Sequence, residues 1–111
     1  MMAVPHWQGS SLSPIIDSTE LLERLRTGKA PRMIDVREPD EFAAGHIPGA
    51  ENFPLSRFTA EFRKLGKDEE LALVCRSGNR SGMAQQFLRA QGYSRTRNLT
   101  GGMLDWYGPV E

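Results

Sequence analysis

The sequence has a single cysteine, Cys75, among its 111 residues, so no disulfide can form within the chain. No apolar run approaches the length that crosses a bilayer. The N-terminus, MMAVPHWQGSSLSP, lacks the basic start and apolar stretch of a secretory signal. Nothing therefore favours an oxidising compartment, and a cytoplasmic location is expected. Histidine occurs only at His6 and His46, so no His/Cys cluster with metal-ligand spacing arises, and the methionines show no such spacing either. Net charge is missing too: residues 1–62 sum to −3 and residues 63–111 to +3. Neither half has the strongly basic face of a nucleic-acid binder. The basic half suits a small anion, or its charges are simply solvated.

What remains is the composition and length of an ordinary globular protein with one core. Residues 1–13, rich in Ser, Gly and Pro, read as a flexible leader, and residues 14–111 as a single domain. A short strand at Pro14–Ile16 leads to Asp17 and Glu20, which read as an N-cap and capping box. Leu21, Leu22 and Leu25 mark the inner face of that helix, and Gly28 stops it. Met33–Val36 reads as a buried strand, and Pro39 opens a short helix ending at Gly45. A brief strand falls at Glu51–Phe53. Leu55, Phe58, Phe62 and Leu65 keep a helical period, closed by Gly66. Leu71–Val74 is continuously apolar, as a strand covered on both faces would be. A helix over Ser81–Gln91, a strand at Thr96–Leu99 and a short helix carrying Leu104 and Trp106 complete the chain. Alternating strands and helices with short links imply an α/β fold with a mainly parallel central sheet flanked by helices.

In such sheets ligands gather beyond the carboxyl ends of the strands, and Cys75 stands at such an end, followed by RSGNRS. Gly78 and Asn79 both tolerate left-handed conformations, so the loop can turn its N–H groups inward against the following helix. A nest of this kind binds anions and favours a thiolate over a thiol. A cysteine that merely packs is the plainer reading of an isolated cysteine. Two arginines, two small flexible residues and a helix start are more than packing requires, so Cys75 reads as a nucleophile.

Several motifs carry a resemblance. Ile34-Asp35-Val36-Arg37-Glu38, Glu41-Phe42 and Gly45-His46-Ile47-Pro48-Gly49-Ala50 stand in that order. Val74-Cys75-Arg76-Ser77-Gly78-Asn79-Arg80-Ser81 follows, and then Gly101-Gly102 with Trp106. From about Ile15 to Trp106 the chain resembles the rhodanese family, most closely its small single-domain bacterial members. The resemblance implies a rhodanese-like three-layer fold and a sulfurtransferase. Cys75 would attack the outer sulfur of thiosulfate or take sulfur from another persulfide. It would then hold a persulfide and pass the sulfur to cyanide, a thiol or an acceptor protein. Residues Arg76 to Arg80 would form the cradle, with Arg76 and Arg80 attracting the anionic donor and Ser77 or Ser81 adding a hydroxyl. No metal or organic cofactor is implied.

Related phosphatases have Cys-X5-Arg where this chain has Cys75-X4-Arg80, a tighter loop that suits persulfide better than a phosphoryl group. Asp35 and Arg37 read as structural support, Asp35 through hydrogen bonds and Arg37 through a nearby pair, because a buried charge needs partners. His46 reads as fixing its turn rather than shuttling protons, and Trp106 and Tyr107 as an apolar plug, with a place at the mouth of the site as the other reading of Trp106. Two other classes compete with the enzyme: a non-catalytic binding module, against which the complete loop speaks, and a redox sensor, which lacks a resolving cysteine. A monomer is the default expectation.

Overall fold

The computed structural model describes residues 12–111, so the leader read at 1–13 lies outside the described residues except for its last two. Five strands form one sheet: β1 (Ile15–Ile16), β2 (Arg32–Asp35), β3 (Glu51–Asn52), β4 (Leu71–Val74) and β5 (Thr96–Leu99). Their order across the sheet is β1-β5-β4-β2-β3, and every neighbouring pair is parallel. The helices are α1 (Ser18–Arg26), α2 (Pro39–Ala43), α3 (Phe58–Glu61) and α4 (Asn79–Ala90).

Alternation along the central strand divides the core in two. Leu71, Leu73 and Cys75 face one side with Ile34 and Val36, and pack against Phe58, Phe62, Ala84, Leu88 and Tyr93 of the α3 and α4 layer. Ala72 and Val74 face the other side with Met33 and Leu99, against Leu21 and Leu25 of α1 and against Met103 and Trp106. The result is three layers. All four residues of β4 are buried, which is why its sequence is apolar without alternation. The same alternation sends the side chain of Cys75 toward α4.

Several elements differ from the reading of the sequence. Asp17 does cap α1, its Oδ1 accepting from the Glu20 N–H at 2.8 Å. Glu20 does not complete a capping box, because its carboxylate receives the buried Arg97 guanidinium instead. The helical period over 55–65 resolves into a 3₁₀ turn, the single turn α3 and a second 3₁₀ turn. Phe58, Phe62 and Leu65 are buried all the same, and the Tyr93 hydroxyl lies within hydrogen-bond distance of the Phe62 and Leu65 carbonyls, nearer the latter. Helix α4 starts at Asn79, two residues before Ser81, because Gly78 takes the left-handed conformation (φ +106°) and serves as its N-cap. Asn79 is therefore helical rather than left-handed. Trp106 lies just beyond the last 3₁₀ turn, Gly102–Asp105, not within it.

At the carboxyl end of β2, Asp35 is fully buried and accepts from the Arg37 backbone N–H, Nε and Nη2 at 2.8–3.1 Å. Arg37 also donates to the Gly45 carbonyl, which ties β2 to the end of α2. His46 follows directly: its ring stacks on Phe42 at 3.8 Å, its Nδ1 lies 2.9 Å from the Phe42 carbonyl, and its backbone pairs with Glu111. Removing one member of a buried pair strands the other, at a cost of about 3–5 kcal/mol. Asp35→Ala should therefore lose about that much stability in urea unfolding, whereas Arg57→Ala, at an exposed i,i+4 pair, should lose less than about 1 kcal/mol.

Candidate active site

The loop is held by hydrogen bonds to its carbonyl groups, while N–H groups of the loop and of α4 meet the sulfur. After β4 the chain turns through residues 75–78. The Met103 N–H donates to the Cys75 carbonyl at 2.9 Å, and the Leu104 N–H to the Arg76 carbonyl at 3.0 Å. Such close approach requires Gly102: a Cβ there would overlap the Cys75 and Arg76 carbonyls, and its φ of +55° already disfavours other residues. The Gly78 carbonyl accepts from the Gly82 N–H in the first turn of α4 and from Asn98 Nδ2 on β5, both at 3.0 Å.

Of these held peptides, the one between Arg76 and Ser77 turns its N–H, that of Ser77, toward the sulfur. The Gly78 N–H donates to Cys75 Sγ at 3.0 Å, and the Ser81 hydroxyl lies 3.2 Å from it. Ser81 is the third residue of α4, so its own N–H is one of the helix donors without an intrahelical partner. Cys75 is only 1 % exposed. Burial pushes its thiol up. The Ser81 hydroxyl, with the N–H groups of Ser81, Gly78 and Ser77, outweighs burial and leaves the thiol below its ordinary range. The arrangement shifts the balance toward a thiolate.

The two arginines of the loop sit differently. Both terminal nitrogens of Arg80 donate to the Glu41 carboxylate of α2, at 2.7 and 2.9 Å. Glu41 also accepts from the Glu38 N–H. Arg80, then the Glu38 amide, bring the Glu41 carboxyl down to about 2. Arg76 is exposed and forms no ion pair among the described residues. Ser77 and Asn79 are exposed too, while Ser81 is buried beneath the loop. Asp35, Arg37 and His46 stand at the end of β2 and of α2; Asp35 pairs in register with Val74, beside Cys75, and the Val36 N–H donates to the Val74 carbonyl.

Two residues of this site went unassigned in the sequence. Glu41 was visible as part of Glu41-Phe42 but without a role. Asn98 had one usable signal, a polar residue inside a short strand just ahead of Gly101-Gly102. Among the described residues there is no group of three His, Cys, Asp or Glu side chains that could hold a metal ion. None of their helices is long and apolar enough to cross a membrane.

A parallel α/β sheet with a thiolate cradle at the end of its central strand defines a class of cysteine-loop domains. Within that class the chain belongs to the rhodanese-like domain family, whose model matches residues 17–108. A sulfurtransferase of Allochromatium vinosum is 38% identical over 91 residues, which cover 82% of this chain and 85% of that protein. The human thiosulfate:glutathione sulfurtransferase is 37% identical over 109 residues, covering 85% and 93%. The crystal structure of a rhodanese-related protein from Thermoplasma volcanium matches with a TM-score of 0.80 at 31% identity, covering 89% of this chain and 98% of that one.

The low Glu41 value sets a sign for stability against pH. A carboxyl whose folded value is depressed stabilises the fold above its unfolded value of 4.5, and that contribution is lost as pH falls toward about 2. The pair is about one-third exposed, so the effect is modest. Acid unfolding of Glu41→Gln should show a shallower loss of stability between pH 4.5 and 2 than the native chain, with Asp40→Asn as a control.

Proposed function

We propose that this protein is a sulfurtransferase that carries sulfane sulfur on Cys75, with thiosulfate as donor and a low-molecular-weight thiol as acceptor. The observation that carries the proposal is the convergence of the Gly78 N–H and the Ser81 hydroxyl on Cys75 Sγ within a loop of Cys-X4-Arg spacing. The names of its relatives, a sulfurtransferase and a thiosulfate:glutathione sulfurtransferase, support the same reaction class and this donor and acceptor.

In the first half-reaction the Cys75 thiolate attacks the outer sulfur of thiosulfate. A Cys75–sulfur bond forms, the bond to the sulfonate sulfur breaks, and its electron pair leaves with sulfite. Charge moves from Sγ to the terminal sulfur of the persulfide, where inward N–H groups stabilise it as an oxyanion hole stabilises oxygen. In the second half-reaction an acceptor thiolate attacks that terminal sulfur, and the electron pair of the broken bond returns to Cys75 Sγ. No external oxidant or reductant is consumed, and no metal or organic cofactor takes part.

Arg76, exposed and unpaired, draws the doubly charged donor toward the loop. Arg80, its charge offset by Glu41, holds α2 against α4 and keeps the cradle narrow. A cradle closed in this way by a four-residue span suits a single added sulfur better than a tetrahedral phosphoryl group.

Incubation of the reduced protein with thiosulfate, followed by intact mass measurement, should show a gain of one sulfur atom on the native chain and none on Cys75→Ser. Cyanide should remove it. Arg76→Ala should raise KM for thiosulfate several-fold and leave the rate at saturation nearly unchanged. No gain of mass from thiosulfate or from any other persulfide donor would remove the proposal in favour of a binding module.

A further inference from the structure

Ser81 has one hydroxyl proton and two acceptors. Its Oγ lies 3.2 Å from Cys75 Sγ and 2.5 Å from Asn98 Oδ1. The orientation of the Asn98 amide leaves no freedom in this count. The Gly78 carbonyl can only accept, so the amide atom facing it, 3.0 Å away, must be Nδ2. Oδ1 therefore faces Ser81, and Oδ1 can only accept. A single proton cannot serve the sulfur and Oδ1 together.

We propose that Asn98 is a positioning residue that makes the Ser81 hydroxyl a donor dependent on the charge state of Cys75 Sγ. When Sγ carries the charge, the Ser81 proton turns to it. When Sγ is neutral, as a thiol or as the inner sulfur of a persulfide, the proton turns to Asn98 Oδ1. In the thiol state the Cys75 S–H can donate in turn to Ser81 Oγ, which gives an unbroken chain from sulfur to Asn98. Asn98 thereby offsets the stabilisation of the thiolate and favours the states in which Sγ has given up its charge. The persulfide reference rests on the sulfur-carrying function proposed above; the thiol reference does not.

Asn98 also braces Gly78, whose N–H serves the thiolate, so a single substitution would mix two effects of opposite sign. A double-mutant cycle separates them. The thiolate-to-thiol ratio of Cys75 is read against pH from thiolate ultraviolet absorbance in the native chain, Asn98→Leu, Ser81→Ala and the double variant. The charged groups near the sulfur, Arg76 and Arg80 with Glu41 behind Arg80, are the same in all four proteins and cancel in the cycle. Loss of the brace acts equally in both backgrounds. Loss of the alternative acceptor acts only where the Ser81 hydroxyl is present.

The expected result is that Asn98→Leu changes the ratio toward thiolate by about fivefold more with Ser81 present than in the Ser81→Ala background, the worth of one ordinary hydrogen bond. Equal changes in the two backgrounds would overturn the proposal and leave Asn98 as a loop brace alone. If Asn98→Leu does not fold, Asn98→Ala completes the same cycle. Intact masses after exposure to a fixed thiosulfate-to-sulfite ratio provide a second readout, with the same coupling expected in the persulfide-to-free ratio. A native chain that takes up no sulfur would count against the sulfurtransferase reading, while the absorbance cycle would still decide the role of Asn98.

Discussion

The site depends on the direction in which a few peptide groups point. In the loop after β4, the carbonyls of Cys75 and Arg76 are held by the N–H groups of Met103 and Leu104, and that of Gly78 by Asn98 and the first turn of α4. Peptides are rigid planes, so tying down the Arg76 carbonyl aims the Ser77 N–H on its other side. The N–H groups of Ser77, Gly78 and Ser81 meet the cysteine sulfur with no ligand present, an arrangement that spares reorganisation when negative charge forms there. Gly101-Gly102, far along the chain from the cysteine, is thus part of the cradle through its backbone. It is the residue without a side chain that lets the last 3₁₀ turn approach closely enough.

Charge is distributed around this frame with some economy. A buried sulfur would ordinarily stay protonated, and here four donors reverse that tendency. Arg80 brings a guanidinium near the sulfur but is matched by Glu41. The unmatched charge is Arg76, on the outside. The exposed cation thus stands outside the loop, and neutral dipoles stand in contact with the sulfur. The Asp35–Arg37 pair ties the end of β2 to the end of α2 through the Gly45 carbonyl, and His46 follows it.

Much of this was legible in the sequence where a single residue type carries the information. The unbroken apolar run Leu71–Val74 marked the central strand, and its end marked the cysteine. Gly78 announced a turn that it does make, although the helix begins directly after it rather than at Ser81. Less legible were the features that depend on partners distant in sequence. Glu20 satisfied the local capping pattern but is claimed by Arg97, and the period over 55–65 could not show that three short turns replace one helix. Glu41 and Asn98 escaped assignment for the same reason. Each acts on the loop from another element, across 39 and 20 residues of chain respectively, and no local pattern announces such a contact.

The central claim is that inward N–H groups, not the arginines, hold the transferred sulfur. A crystal structure of the thiosulfate-treated protein tests it most directly. The account predicts a terminal sulfur on Cys75 within hydrogen-bond distance of the loop N–H groups, with the Cys75 and Arg76 carbonyls still bound to Met103 and Leu104 and Arg80 still paired with Glu41. A terminal sulfur turned out of the loop, or held by Arg80 released from Glu41, would contradict it.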